Sequence, residues 1–481
     1  MNRGEVPGYE FDVPRGPRHA SGPRHAIGHD PLRHLQHGQS ESAPRSPVLA
    51  AGSGVFAVMR GRNWLMGLAA PILAAVAVGI AVVVVTGGGG AGGAAPSALA
   101  AGFPPARLAG ASFTGNTATA RVTLTAISAS GATEVAAGGV NGGPALWASR
   151  DGGATWNPAA LTGQASLTKA GSGQLAGVTH GAAGWLAVGT TLAGAGGPLV
   201  ASSRDARAWT VSSGIAQDAV AAAVAAGPAG YVIVGHQSTG ASGPAVAAAW
   251  YATGLTGWRP AAVAGPRQQA QPGMAGGQMM NAVTALGRGF VAVGATGTRP
   301  AVWLSATGRT WQPAQVPVPA GADRAALEYV AANGGNVVAA GTEFSAAGAS
   351  RPFAEVSADA GATWTPVQLP VPGIGPGTGT TVTALTAAGG GFTAVGTYVT
   401  QAGPEVVVWT LPPGTSVTDG TRWSTVTPQG TGLASTLAEN AITAVAANGA
   451  TLTGVGFTAR LAASGVPGAQ QPTLWQSPIR Y

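Results

Sequence analysis

The strongest hydrophobic feature of the chain is an uncharged run at residues 64–86, WLMGLAAPILAAVAVGIAVVVVT. A helix of this length rises about 35 Å, enough to cross a hydrocarbon core of about 30 Å. Arg60 and Arg62 precede the run, and no charged residue follows it before Arg107. Positive residues are retained in the cytoplasm. We therefore predict one transmembrane helix over 63–86, with a cytoplasmic N-terminus and an extracytoplasmic C-terminal bulk at the cell membrane.

Two other interpretations of this run stay open. One is a buried core helix, and the other is a cleaved signal peptide, because the ALA at 98–100 resembles a cleavage site. The long segment that precedes the run favours an uncleaved anchor.

The segments on either side of the run are too polar or too rich in small residues to fold. Residues 1–62 repeat GPRHA at 16–20 and 22–26, with almost no aromatic residues, and we predict a disordered cytoplasmic tail. The tail contains His19, His25, His29, His34 and His37 at irregular spacing. That spacing favours no metal site, while docking to a cytoplasmic partner stays open. Residues 87–102 are predicted to be a Gly/Ala-rich linker.

After the linker, an apolar run that ends in glycine recurs seven times, and such periodicity is typical of repeat folds. From the first of these glycines to the last is 318 residues in six steps, a mean spacing of 53. A strand of small apolar residues precedes each run, for example AVTAL at 282–286. The repeat glycines are Gly138, Gly189, Gly235, Gly294, Gly341, Gly396 and Gly456.

Each repeat continues in the same order after its glycine. A variable loop ends at a proline that opens a third strand, and a turn then leads to a fourth strand, usually with Trp, as in TWNPAAL. Four strands in about 50 residues, with small side chains in the first, are typical of a β-propeller blade. The prolines are Pro144, Pro198, Pro244, Pro300, Pro352, Pro404 and Pro472.

The last repeat stops after its third strand, TLWQSPIRY, so its fourth strand must come from elsewhere. FPPARLAG at 103–110 reads like WNPAALTG at 156–163. We therefore predict that residues 103–109 supply the outer strand of the last blade, which leaves no broken edge. The fold class is all-β: a seven-bladed β-propeller over 103–481, preceded by the helix and the tail. A sandwich or two smaller β domains are the alternatives.

One turn pattern, S-x-D-x-G-x-T-W, joins the third and fourth strands in full at 149–156 (SRDGGATW) and 357–364 (SADAGATW). Shortened copies occur at 203–209 and 305–311. The pattern resembles the Asp-box, or bacterial neuraminidase repeat, of sialidase-like propellers, here in a membrane-anchored bacterial protein. The same box occurs in sialidases, other glycoside hydrolases, sortilin-type receptors and photosystem assembly factors, so the resemblance indicates a fold and no single function.

The residues of this pattern have structural roles on physical grounds. The aspartates accept hydrogen bonds from turn amides, the glycines supply a positive φ, and the tryptophans bury a large ring between strands. The residues concerned are Ser149, Asp151, Gly153, Thr155 and Trp156, and Ser357, Asp359, Gly361, Thr363 and Trp364. In propellers, ligands usually meet the opposite face, which is made by the loops between second and third strands and between blades.

Most of those loops consist of Gly, Ala, Ser and Thr, and the exceptions are candidate ligand-face residues. They are His236, Arg299, Asp323, Tyr329, Glu343, Phe344, Arg351, Tyr398 and Arg460, with Arg324 and Glu328 on the way into blade five. A sialidase needs three arginines on a carboxylate, a Tyr nucleophile beside a Glu, and an Asp acid/base. The candidates for these roles are Arg299, Arg351 and Arg460 as the three arginines, Tyr329 with Glu343 as the nucleophile and its partner, and Asp323 as the acid/base.

Two departures weaken that assignment: the Arg-Ile-Pro segment of the sialidases has no match in this sequence, and their catalytic propeller has six blades. The chain contains no Cys, and its charged residues amount to 9%. The net charge of +7 forms no basic stripe, so we predict no nucleic-acid partner. We also predict no metal and no cofactor.

The leading functional hypothesis is a membrane-anchored, extracytoplasmic propeller that acts as a non-catalytic binding or scaffolding module at the cell envelope. Its ligand on the loop face is an unknown protein or glycan. A sialidase-like exo-glycoside hydrolase is the first alternative. A transmembrane sensor with a partner-binding cytoplasmic tail is the second.

Overall fold

The computed structural model describes the propeller domain, with gaps at some loops. The described residues are 105–106, 122–163, 173–191, 197–212, 215–238, 243–265, 277–372, 379–400, 403–428, 433, 438–460 and 471–479. The predicted tail, transmembrane helix and linker, residues 1–102, lie outside these ranges. Within these ranges, no helix is both long enough and apolar enough to cross a bilayer.

The described residues form seven sheets, which confirms the prediction of an all-β, seven-bladed propeller. The chain begins with β1 (Pro105–Ala106). Blade 1 contains β2 (Val122–Ser130), β3 (Thr133–Val140), β4 (Gly143–Ser149) and β5 (Asn157–Pro158). After β6 (Ala160–Thr162), blade 2 contains β7 (Gly173–Gly181), β8 (Gly184–Thr191), β9 (Gly197–Ser203) and β10 (Ala208–Ser212).

The same order continues through the next two blades. Blade 3 contains β11 (Ala219–Gly227), β12 (Gly230–Ser238), β13 (Ala245–Ala252) and β14 (Arg259–Pro260). After β15 (Ala262–Val263), blade 4 contains β16 (Gln278–Leu286), β17 (Gly289–Thr296), β18 (Arg299–Ser305) and β19 (Thr310–Ala314).

The last three blades complete the domain. Blade 5 contains β20 (Arg324–Asn333), β21 (Asn336–Phe344), β22 (Ser350–Ser357) and β23 (Thr365–Gln368). Blade 6 contains β24 (Thr380–Ala388), β25 (Gly391–Thr400), β26 (Gly403–Leu411), a 3-10 turn at Gly420–Arg422, and β27 (Ser424–Val426). Blade 7 contains β28 (Ala438–Asn448), β29 (Thr451–Arg460) and β30 (Gln471–Pro478).

The seven innermost strands close a ring. Each of β2, β7, β11, β16, β20 and β24 packs against the first strand of the following blade, and β28 packs against β2. The ring is joined at its outer edge by β1, which pairs antiparallel with β30, so that Pro105 lies opposite Trp475. Pro158 lies opposite Trp147 in the same way inside blade 1. The beginning of the domain therefore supplies the fourth strand of blade 7, as the repeat comparison predicts.

The fourth strands differ from the prediction in two blades. The segment TWNPAAL was expected to form one outer strand of blade 1, but the chain leaves the sheet after Pro158. Residues Ala160–Thr162 then pair in parallel with β10 of blade 2. Likewise, β15 leaves blade 3 after Pro260 and pairs in parallel with β19 of blade 4. The N–H groups of Ala160 and Ala262 donate to the carbonyl oxygens of Arg207 and Arg309, so each segment joins the open edge of the next blade.

Each inner strand carries a β-bulge opposite the repeat glycine of its blade. In blade 5 the register between β20 and β21 shifts between Leu327 and Tyr329, and Gly341 lies opposite Leu327. A Cβ atom on Gly341 would lie 1.9 Å from the carbonyl oxygen of Ala326. For the other six repeat glycines the corresponding distance is between 1.9 and 2.2 Å. Only glycine therefore fits at these seven positions, since real Cβ atoms do not approach an oxygen so closely.

Large aromatic side chains fill the space between blades. In the interface of blades 7 and 1, Trp147 from β4 and Trp156 from the following turn lie in one buried cluster. Trp303 and Trp311 repeat this pair between blades 3 and 4. In blade 5 the register places Glu355 opposite Pro366, where blade 4 has Trp303 opposite Pro313. A buried glutamate thus occupies the position of a core tryptophan in blade 5.

The S-x-D-x-G-x-T-W turns are held by side-chain hydrogen bonds. At 149–156, Ser149 Oγ donates to Asp151 Oδ1 at 2.7 Å and accepts from the N–H of Gly153 at 2.8 Å. Asp151 Oδ1 accepts from the N–H of Thr155 at 2.8 Å, and Oδ2 accepts from its hydroxyl. The indole N–H of Trp156 donates to Gly153 O at 2.9 Å. The turn at 357–364 repeats every one of these bonds.

These bonds favour the ionised aspartates. The hydroxyl and the N–H of Thr155 lower the pKa of Asp151 to about 2, and Thr363 does the same for Asp359. A lowered pKa in the folded state contributes stability that is present above the unfolded value of 3.8 and is lost as the pH falls towards 2. The turns are therefore stabilised at neutral pH.

We predict that Asp151→Ala lowers the Tm by about 2–4 °C at pH 7, because three hydrogen bonds in the turn are lost. Calorimetry of the wild type and the variant at pH 7 and pH 2.5 measures this effect. The difference in Tm should shrink at the lower pH, because the carboxyl group of Asp151 is protonated there in the unfolded chain, so the bonds to the ionised form stabilise the folded state less. An equal Tm for the two proteins at pH 7 would refute the role of Asp151 in the turn.

Candidate functional site

The propeller has two faces, which differ in the connections that they present. The first hairpin and the turn after the third strand lie at the same end of a blade, since successive strands are antiparallel. Gly152 N donates to Ala132 O at 2.9 Å in blade 1, and Ala360 N donates to Gly335 O at 2.8 Å in blade 5. We call this end the turn face. The loop face is the opposite end, with the connections between second and third strands and between blades.

Exposed apolar side chains lie on the loop face. Among the described residues, four large hydrophobic side chains are more than a third exposed, and Val399 is the most exposed at 51%. Val246 begins a third strand and Val399 ends a second strand, both on the loop face. The other two, Val318 and Val371, belong to connections that lead into blades 5 and 6. The exposed valines of the loop face are therefore spread over blades 3 to 6 and the connections between them.

An arginine on an aromatic ring lies at the entrance to blade 5. The guanidinium carbon of Arg324 is 4.3 Å from the ring centroid of Phe344, and the two residues are paired across β20 and β21. Asp323 N donates to Phe344 O, and Ala325 N donates to Thr298 O of blade 4, both at 2.9 Å. These backbone bonds fix the strand ends, so the exposed Arg324 is presented in a defined position.

Glu343 and Arg351 lie directly opposite each other on β21 and β22. Glu343 is buried, and its Oε1 accepts from Gln368 Nε2 at 3.1 Å. Its Oε2 is buried without a hydrogen-bond partner among the described residues. Arg351 is exposed. This pair combines a buried acid with an exposed cation at the rim of blade 5.

Tyr329 lies on the other face of the same sheet. It pairs with Ala340 and packs against the cluster between blades 5 and 6. Glu343 projects with Gly341 and Ala339 towards blade 4, since alternate residues of β21 share a face. Burial raises the pKa of Tyr329, and the neighbouring Glu328 raises it further. The drafted pair of Tyr nucleophile and Glu base is therefore not assembled in this structure.

The remaining candidates are spread over five blades. Arg299 begins β18 in blade 4, and exposed Asp323 immediately precedes β20. Arg460 ends β29 in blade 7, and its side chain lies outside the described residues. The backbones of the three drafted arginines thus belong to blades 4, 5 and 7.

Tyr398 and His236 are partly buried. Tyr398 Oη donates to Glu405 Oε2 at 2.7 Å, and burial followed by this hydrogen bond raises the pKa of Tyr398 to about 12. Burial lowers the pKa of His236 in blade 3. Across the described residues, no group of three or more His, Asp or Glu is placed to hold a metal ion.

Two glutamates of blade 5 have strongly raised pKa values: Glu328, which the sequence places on the way into the blade, and Glu355, which was not among the candidates. Burial raises the pKa of both Glu328 and Glu355 to about 8. The unusual position of Glu355 could have been found in the sequence, since FAEVS in blade 5 aligns with AVWLS in blade 4 and places Glu355 where blade 4 has Trp303. By contrast, no local feature of the sequence predicts the bulge that places Glu328.

A cavity of about 360 Å³ lies on the turn face of blade 6, where no candidate was expected. The hairpin between β24 and β25 and the segment after β26 form its walls. It contains no charged residue, and its lining is Asn336, Gly390, Gly391, Phe392, Leu411, Pro412, Gly414, Thr415, Ser416 and Val417.

No family model and no curated protein matches the chain. Among solved structures, a protein of unknown function from Dyadobacter fermentans is similar with a TM-score of 0.42 and 13% identity, covering 76% of this chain and 96% of that one. Trypanosoma rangeli sialidase in complex with 2,3-difluoro-KDN is similar with a TM-score of 0.40 and 14% identity. The match covers 74% of this chain and 53% of the sialidase chain. An ancestral GH74 enzyme is similar with a TM-score of 0.42 and 12% identity. The match covers 75% of this chain and 48% of the enzyme.

This chain spans about half the length of the sialidase and of the GH74 enzyme. At these TM-scores and identities, the similarities carry no argument for an activity.

Proposed function

We propose that the chain is a single-pass membrane protein whose extracytoplasmic propeller is a non-catalytic binding or scaffolding module at the cell envelope. The observation that carries this proposal is the position of the exposed valines. All four of the large hydrophobic side chains that are clearly exposed among the described residues lie on the loop face. We infer a contact surface from the restriction of these side chains to one face of the domain.

We also propose that the propeller belongs to the Asp-box class. In support, the two complete turns share one set of hydrogen bonds from Ser, Asp, Thr and Trp side chains. These turns lie on the turn face, away from the exposed valines. The box therefore stabilises the fold, and the loop face is left for a partner.

The partner that fits best is a protein surface with carboxylates. Val318, Val371 and Val399 offer aliphatic contact, while the exposed Arg324 and Arg351 lie at the loop-face ends of β20 and β22. Arginine binds carboxylates in a bidentate manner and is enriched in protein interfaces. A glycan ligand usually requires exposed aromatic rings, and Phe344 is covered by Arg324 on one side.

The absence of cysteine from the chain allows a direct test in intact cells. Single cysteines are placed at Ser42 in the tail, at Arg288 on the turn face, and at Val399 on the loop face. We expect a membrane-impermeant maleimide to label Arg288→Cys in intact cells and Ser42→Cys only after permeabilisation. Val399→Cys should react at least about threefold more slowly in cells than in the purified chain, because the partner covers it. Arg288→Cys is the matched control and should react equally in both settings.

Two results would contradict the proposal. Labelling of Ser42→Cys in intact cells would overturn the topology. Equal rates for Val399→Cys in cells and in the purified protein would show that the loop face is not covered. Adding Arg351→Glu to Val399→Cys should restore the fast rate in cells, since it places a negative charge against an acidic partner.

The glycosidase alternative has its own assay. We expect the purified full chain to release no fluorescent leaving group from a sialic-acid conjugate above the rate without protein, because Tyr329 and Glu343 lie on opposite faces of a sheet. Turnover that disappears in both Tyr329→Phe and Glu343→Gln would support the hydrolase instead. Turnover that persists in both variants would indicate a contaminating enzyme.

A further inference from the structure

The bulges of the seven inner strands place seven side chains at equivalent positions around the ring. In each blade one residue of the inner strand is left without a partner in the register between the first and second strands. These bulge residues are Thr125, Ala176, Ala222, Asn281, Glu328, Thr383 and Thr443.

In four blades the bulge side chain forms a hydrogen bond to the next blade. The donor is a Thr hydroxyl or the Asn amide, and the acceptor is always the carbonyl oxygen of the residue before the next bulge. The pairs are Thr125 with Leu175, Asn281 with Leu327 at 2.9 Å, Thr383 with Ile442 at 2.6 Å, and Thr443 with Leu124 at 2.6 Å. We call each of these bonds a clasp, because it joins two neighbouring inner strands.

Blade 5 has an acid at the clasp position. The equivalent acceptor in blade 6 is the carbonyl oxygen of Val382, the residue before the bulge at Thr383. A carboxylate has no proton to donate, whereas a carboxylic acid has one. We propose that Glu328 is retained as a neutral acid that donates its proton to Val382 O, so that it closes the clasp between blades 5 and 6.

The surroundings of Glu328 support the neutral form. Its Oε2 accepts from the hydroxyl of Thr342 at 3.4 Å, which leaves Oε1 to carry the proton. Glu328 is half-buried by its exposed surface, but it is densely surrounded by protein, and this desolvation raises its pKa to about 8; the bond from Thr342 lowers the pKa only in part. The other titratable or charged groups on β20 and on the strands packed against it are Arg324 and Tyr329 on β20 itself, Glu343 on β21 and Arg299 on β18. Tyr398 and Glu405 lie further out in blade 6, on β25 and β26.

Loss of the proton should open this clasp. The carboxylate would then face a carbonyl oxygen, and two acceptors repel each other. A pKa raised in the folded state contributes stability that is complete below the unfolded value of 4.5 and is lost as the pH rises through about 8. The boundary between blades 5 and 6 is thus sensitive to alkaline pH.

The test is hydrogen exchange of the β24 amides in the full chain at pH 7 and pH 9, expressed as protection factors to remove the intrinsic effect of pH. We expect the protection factors of the wild-type β24 amides to fall by up to about tenfold from pH 7 to pH 9, which is one pH unit above the raised pKa of Glu328. In Glu328→Gln and Glu328→Thr, the β24 amides should keep their protection at both pH values. Each new side chain can donate a hydrogen bond to the next blade, as Asn281 and Thr383 do. Glu328→Ala, which copies blades 2 and 3, should be poorly protected at both.

Glu355→Gln is the matched control, because it removes the other acid of blade 5 whose pKa burial raises to about 8. Its β24 amides should respond to pH as in the wild type. A wild type whose β24 protection is equal at pH 7 and pH 9 would overturn the proposal. A Glu328→Gln variant that still loses protection, or a Glu355→Gln variant that no longer does, would overturn it as well.

Discussion

The close approach of one backbone to another at seven glycines is the constraint on which the propeller depends. At Gly341 a Cβ atom would lie 1.9 Å from the carbonyl oxygen of Ala326, and the other six sites are equally tight. This approach permits the bulge in the adjacent inner strand. The bulge in turn directs a side chain of that strand towards the next blade. One missing methyl group per blade therefore determines how the inner strands meet.

From this inner ring the rest of the molecule follows outwards. The clasps join inner strands, paired tryptophans fill the spaces between sheets, and the strands β6 and β15 cross to the edge of the next blade. The S-x-D-x-G-x-T-W turns stabilise one face with side-chain hydrogen bonds. The opposite face carries the variable loops, and it alone presents the exposed valines known from the described residues.

Much of this architecture could be predicted because the repeats mark it. The spacing of the glycines gives seven blades, and the likeness of FPPARLAG to WNPAALTG locates the closing strand at Pro105–Ala106. The path after Pro158 could not be predicted, since it depends on the neighbouring sheet edge. The candidate site could be predicted less well, because the face on which Tyr329 projects depends on a bulge that shifts the alternation of β20. Composition could not reveal that bulge.

The most direct test of the central constraint compares two glycine substitutions by calorimetry. Gly341→Ala should cost about 3 kcal/mol or more, because the methyl group displaces backbone of the inner strand. Gly254→Ala is the matched control, since a Cβ atom there meets nothing within 4 Å and its φ is not in the left-handed region. We predict a clearly lower Tm for Gly341→Ala and a Tm within about 1 °C of the wild type for Gly254→Ala. Equal Tm values for the two variants would contradict the account.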